Sequence, residues 1–136
     1  MAEPDDPVFV DTSAFFALLY RSDPFSQKAH QTWQRLAAQR AHLLTSNYVV
    51  SEACALVQRR LGMAATSSLL QFLIPATEVY FVNEPEHELA IRMLHSNDRR
   101  TLSLVDCTSF IVMRAFSMRR AFHFDAHFEE QGFEFA

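Results

Sequence analysis

The sequence predicts an α/β fold, specifically a three-layer α/β/α sandwich with a mainly parallel sheet of four to five strands. Three observations predict it. Short apolar, β-prone runs alternate with longer stretches of helical period, in the order βαα-βαα-βαα-β. The 136 residues, 49% of them hydrophobic, suit a single domain over 1–136 that buries roughly two-thirds of the surface its unfolded chain exposes. With two glycines and five prolines there is no flexible linker, and no repeat divides the chain.

Each element has its own signal. Val8-Phe9-Val10 is an apolar strand ending at Asp11, and Thr12-Ser13 leads into a helix over Ala14 to Tyr20. Ser22-Asp23-Pro24 breaks the chain, and a second helix follows with Ala29, Trp33, Leu36 and Ala37 at a period of 3.6. His42 to Thr45 is the second strand. Ser46-Asn47 caps a third helix that ends at Gly62, and a fourth spans Met63 to Leu73 before Pro75. Thr77 to Val82 is the third strand, and a fifth helix starts at Glu84-Pro85 and runs to Ser96. Asn97 to Thr101 is a polar loop, Leu104 to Met118 a sixth helix, and Ala121 to Phe124 a fourth strand ending at Asp125. Phe133 to Phe135 is a short fifth strand. In such a fold ligands sit beyond the carboxyl ends of the strands.

Composition excludes several classes. No apolar stretch approaches the roughly 18 residues needed to span a bilayer. The acidic start Met-Ala-Glu-Pro-Asp-Asp lacks the basic and apolar regions of a secretory signal, so a cytoplasmic protein is expected. Cys54 and Cys107 have no CxxC spacing and read as buried free thiols. A formal charge of −4 excludes a general nucleic-acid coat, so any such contact must be local. Arg99, Arg100, Arg114, Arg119 and Arg120 cluster late in the chain, which fits phosphate binding or a plain compositional preference.

The acids carry the chemistry. Asp11 and Asp125 both follow strands and would emerge on one edge of the sheet. Glu52 interrupts a mostly apolar helix on the stripe of Tyr48 and Leu56, and Asp106 stands in a helix apolar on nearly all sides. A buried carboxylate needs a partner, and the structural alternatives are a cap for Asp106 and an arginine ion pair for Glu52. If all four converge, two such charges about 4 Å apart repel by roughly 4 kcal/mol at an effective dielectric near 20. A cation between them relieves this. An oxygen-only, carboxylate-rich set suits Mg²⁺ or Mn²⁺, and phosphodiester hydrolysis is the chemistry such sites perform.

The segments Val8-Phe9-Val10-Asp11-Thr12-Ser13-Ala14, Val49-Val50-Ser51-Glu52-Ala53, Leu102-Ser103-Leu104-Val105-Asp106-Cys107 and Phe124-Asp125-Ala126-His127-Phe128 together resemble a PIN-domain ribonuclease, particularly the compact VapC toxins of bacterial toxin–antitoxin pairs. The likeness covers nearly the whole chain. It implies a sheet with the first strand central, and a metal-dependent endoribonuclease in which Asp11, Glu52, Asp106 and Asp125 bind Mg²⁺ or Mn²⁺. It implies a supporting hydroxyl from Thr12 or Ser13, an RNA substrate, and a small antitoxin that covers the acidic pocket with a basic side chain. Phe15, Phe16 and Leu19 are candidates for the antitoxin's groove or a homodimer seam. His123 departs from the family pattern, and phosphate contact, a nitrogen ligand for Mn²⁺ and packing all stay open for it. The other histidines, His30, His42, His87, His95 and His127, have no zinc-site spacing.

A receiver domain would need an acidic pair at the first strand and a lysine later on the same edge, whereas the one lysine here is Lys28. A haloacid-dehalogenase phosphatase needs Asp at position 13, which is Ser. The remaining alternative is a catalytically silent PIN-like module acting through a protein partner, which the presence of all four acids opposes.

Overall fold

Val8, Phe9 and Val10 are fully buried, as a strand covered by helices on both faces must be. In the computed structural model, which describes residues 5–136, this strand, β1 (Val8–Val10), is the middle of a five-stranded sheet. The start of the acidic N-terminus, Met1 to Pro4, lies outside the described residues. The other strands are β2 (Leu43–Ser46), β3 (Glu78–Tyr80), β4 (Arg120–Phe122) and β5 (Glu134–Phe135). Their order is β3-β2-β1-β4-β5 and every pairing is parallel. The expected three-layer α/β/α architecture with a central first strand is therefore the observed one.

The helices among the described residues are α1 (Thr12–Leu19), α2 (Ser26–Ala38), α3 (Asn47–Leu61), α4 (Met63–Ser68), α5 (Glu84–Asn97), α6 (Leu104–Ala115) and α7 (Ala126–Glu130). α1 packs on α2 and α3, while α6 packs on α3 and α5. One core joins them, filled by Phe9, Phe15, Phe110, Phe122 and Phe128 with Leu36, Leu69 and Met113. One side chain ties β2 to β1 and the next joins β2 to its helix. Thr45 Oγ1 donates to the Val10 carbonyl at 2.8 Å, and Ser46 Oγ accepts from Val49 N–H at 3.2 Å to cap α3.

Four expectations need correction. The helix expected over Met63 to Leu73 stays α-helical only through Ser68, widens into a π-turn at Leu69–Leu73 and ends in a 3₁₀ turn at Ile74–Ala76. Pro75 explains the ending, since its ring and missing N–H disrupt the preceding turn. α6 stops at Ala115 because Ser117 takes a left-handed φ of 53°. β4 starts and ends earlier than expected, leaving His123 and Phe124 outside it, and the helix α7 follows, for which a five-residue AHFEE segment gives almost no periodic signal. Phe15 is a fully buried core residue, so it forms neither a groove nor a seam, whereas Phe16, 7% exposed, borders the cleft described below.

Candidate active site

Four separate elements deliver the four acids. Asp11 follows β1 and caps α1, and Glu52 lies in the second turn of α3. Asp106 is the third residue of α6, and Asp125 caps α7. All four line one cleft of about 400 Å³ at the carboxyl ends of the strands, together with Thr12, Ser13, Ser103 and Thr101. No arginine, lysine or histidine lines it among the described residues.

Local geometry fixes each carboxylate. Asp11 Oδ2 accepts from both the Ser13 N–H, at 3.1 Å, and the Ser13 hydroxyl, at 2.6 Å. That hydroxyl also accepts from Phe124 N–H at 2.9 Å, so one side chain ties the first acid to the segment that carries the fourth. Asp106 closes a capping box with Ser103: its carboxylate accepts from Ser103 N–H at 3.1 Å, and Ser103 Oγ accepts from Asp106 N–H at 3.0 Å. Asp125 accepts from His127 N–H at 2.9 Å. Glu52 is half-buried and makes no ion pair with an arginine among the described residues. The cap alternative thus holds for Asp106 in part, while the arginine alternative for Glu52 does not.

The acids sense one another. Burial raises Asp11 from 3.8 to about 7, with Asp106 and Glu52 adding to the rise against the Ser13 hydrogen bonds. Burial also raises Asp106, and Asp125 and Glu52 push the same way. An acidic cleft with no cationic side chain and a carboxylate held near neutrality is short of positive charge. Thr12 Oγ1 is buried there without a hydrogen bond. The donor set, carboxylate and hydroxyl oxygen throughout, fits a hard divalent cation such as Mg²⁺ or Mn²⁺. The side chains are spread around the cleft: among the described residues no three Asp, Glu, His or Cys groups stand in a ready-made coordination cluster. Mg²⁺ commonly takes only one or two carboxylates and keeps several waters, so the fit does not need one.

The histidine before Asp125 packs. His123 is buried, its ring stacks on Phe128 with centroids 4.8 Å apart, and its Nδ1 accepts from Asp125 N–H at 3.2 Å. Burial lowers its pKa, so it stays neutral and positions the Asp125 backbone. The late arginines do not gather at the cleft. Arg120 is buried and donates to the Asp6 carbonyl, Arg114 donates to Gln131, and Arg99 pairs with Glu130 at 2.8 Å. Glu130 also meets His127, whose Nε2 faces the Thr101 carbonyl, which clips the α5–α6 loop to α7.

Three cleft residues escaped the sequence reading. Asp23 is a fifth acid on the wall; it looked like a chain breaker and does act as one, its carboxylate accepting from Phe25 N–H at 2.8 Å. Phe25 and Phe124 line the cleft with their rings stacked, centroids 4.7 Å apart and planes at 12°. An apolar residue at a helix start gives no signal of its own.

The chain matches the PIN domain family over residues 8–134. It is 35% identical over 127 residues to the 23S rRNA-specific endonuclease VapC20 of Mycobacterium tuberculosis, in strains CDC 1551 and H37Rv alike, covering 93% of this chain and 95% of the relative. It is also similar to a crystal structure of the Mycobacterium tuberculosis VapC20, described as a sarcin–ricin loop cleaving toxin. That match has a TM-score of 0.81 and 34% identity, and covers 95% of this chain and 98% of the other.

Proposed function

The chain belongs to the PIN-domain family, and from that premise we propose that it is a metal-dependent endoribonuclease, the toxin of a toxin–antitoxin pair. One observation carries the reading: four carboxylates from four distant parts of the chain line a single cleft that has no basic side chain of its own. A silent binding module has no need of that arrangement, because buried acids that raise one another's pKa cost stability when no cation offsets them.

Asp11, Glu52, Asp106 and Asp125 would hold Mg²⁺ or Mn²⁺. When bound, such a cation supplies Lewis-acid polarisation of a phosphodiester and lowers the pKa of water that attacks it. The chain's own residues do the rest. Ser13 and the Ser103 capping box fix the Asp11 and Asp106 carboxylates, and His123 and His127 fix the turn at Asp125. Asp11 or Glu52 aligns the attacking water, and no side chain becomes covalently attached. VapC20 acts on 23S rRNA, and its crystal structure is described as a sarcin–ricin loop cleaving toxin; an RNA hairpin of that loop is the first substrate to test here.

Purified protein is expected to cut the hairpin with Mg²⁺ or Mn²⁺, to stop with EDTA, and to resume when metal is restored. Equal rates for EDTA-treated and metal-loaded protein would overturn the mechanism. Partners belong to the same proposal: an antitoxin places a basic side chain, best an arginine, in the acidic cleft. Apolar surface for that antitoxin or for a second copy lies around Leu70 and Phe81, beside a groove between α3 and β3. Expression of the wild type alone should arrest growth and Asp11→Ala should relieve it; equal toxicity of the two would sink the toxin assignment.

A further inference from the structure

Phe25 is 45% exposed at the rim of the acidic cleft. One face of its ring rests on Phe124, with the planes nearly parallel at 12°. Phe124 in turn packs against Phe135, centroids 5.9 Å apart, and the Lys28 ammonium stands 4.2 Å above the Phe135 ring. Phe25 and Lys28 are three residues apart at the start of α2, a spacing that places them on one side of the helix. Lys28 is the one lysine in the chain, is exposed, and has no carboxylate partner among the described residues. A flat, backed aromatic face thus stands on the cleft wall with Asp125, and just outside that wall an ammonium with no carboxylate partner among the described residues lies over Phe135.

We propose that Phe25 and Lys28 form a nucleotide subsite, in which the Phe25 ring stacks an unpaired RNA base and the Lys28 ammonium takes a neighbouring backbone phosphate. Single-stranded and looped RNA is bound in this way elsewhere, through bases stacked on aromatic rings and phosphates on nearby cations. The position supplies what the cleft lacks. Among the described residues its floor carries only acidic and neutral side chains, so beyond the proposed cation the chain's own grip on the strand comes from the rim. A base on Phe25 places the adjoining phosphate toward Asp11 and Asp125, which line the same cleft. The inference rests on the nuclease reading and names the part of the surface that grips the RNA.

The experiment uses the RNA hairpin and the full chain. KM and kcat are measured for wild type, Phe25→Leu, Phe25→Trp and Lys28→Gln, and RNA affinity is measured in an Asp106→Asn background that does not cut. Leucine keeps the apolar volume and removes the flat face, so Phe25→Leu should raise KM and Kd by about ten-fold or more, whereas Phe25→Trp should stay near wild type. Lys28→Gln should reduce the slope of log Kd against log salt by about one. The Phe25→Trp protein should also show quenching on RNA binding beyond that from Trp33, a signal that does not depend on how well Phe25→Leu folds. Wild-type KM and Kd for Phe25→Leu, or an unquenched Trp at position 25, would overturn the subsite. A wild type that cuts no RNA with either metal would overturn the nuclease reading itself, which is a different result from cleavage that ignores position 25.

Discussion

One hydroxyl holds two walls of the cleft together. Ser13 Oγ donates to Asp11 and accepts from the Phe124 amide, so it couples residues 111 positions apart. Ser13→Ala removes both bonds at once and frees the Phe124 N–H. The expected loss is about 1–3 kcal/mol of stability, since a buried donor is left without its partner. Cleavage should fall at least ten-fold with metal present, because the turn carrying Asp125 is released. Thermal melts and single-turnover assays check this, and full activity in Ser13→Ala would show that the tether is only structural. Glu52 and Asp106 were legible in the sequence because a carboxylate inside an apolar pattern is out of place, and Asp11 and Asp125 because each directly follows a strand-like run. The tether was not: a serine after an aspartate reads as a helix start, and nothing local announces a partner in Phe124. Asp23 stayed hidden for the opposite reason, since its turn-forming role already accounts for an acid before proline.

At the scale of elements, strands were legible where the whole run is apolar, as in Val8–Val10, and boundaries were lost where the backbone turns without glycine. α6 ends in a Schellman pattern: Met118 N–H donates to the Met113 carbonyl at 2.8 Å and Ser117 N–H to the Arg114 carbonyl at 3.1 Å. The left-handed residue at its centre is Ser117, where glycine is usual. α2 ends the same way with Arg40 at a φ of 52°. Helical periodicity has no means of registering such stops, so α6 read as three residues too long. Ser117→Gly relieves the Cβ strain, offset in part by greater freedom in the unfolded chain. It should raise stability by about 0.5–1 kcal/mol and leave cleavage alone, because Ser117 lies away from the cleft. A lower melting temperature for Ser117→Gly would show that the serine side chain contributes more than its backbone costs. Ser103→Ala tests the other end of the same helix. It removes the hydroxyl half of the capping box and should cost about 1 kcal/mol and reduce cleavage, since Asp106 loses one of the contacts that orient it.

Across the whole molecule, buried acids that raise one another's pKa make stability depend on pH, and the proposed cation would add a dependence on metal. Asp11 has a folded pKa of about 7 against 3.8 unfolded. A carboxyl raised in the native state contributes stability that is fully present below about 3.8 and is lost as pH rises through about 7. Asp106, raised as well, acts in the same direction. His123 opposes them: its lowered pKa makes the native state disfavour protonation, so its contribution is present above the unfolded value of 6.5 and is lost as pH falls. The bare melting curve therefore mixes two trends, and a substitution at position 11 separates them. Asparagine accepts the same two hydrogen bonds from Ser13 and carries no charge, while His123 is identical in both proteins. In EDTA, Asp11→Asn should gain stability relative to wild type as pH rises from about 4 to 8. Mg²⁺ or Mn²⁺, held as proposed by the native state alone, should raise the wild-type melting temperature most at the high end of that range, where the carboxylates are ionised. The same metal should raise Asp11→Asn much less. Melts of both proteins at pH 5 and pH 8, with and without metal, decide the matter: a wild-type-to-variant difference that does not change with pH would mean that Asp11 titrates normally in the folded protein, and that the cleft is not strained for a cation.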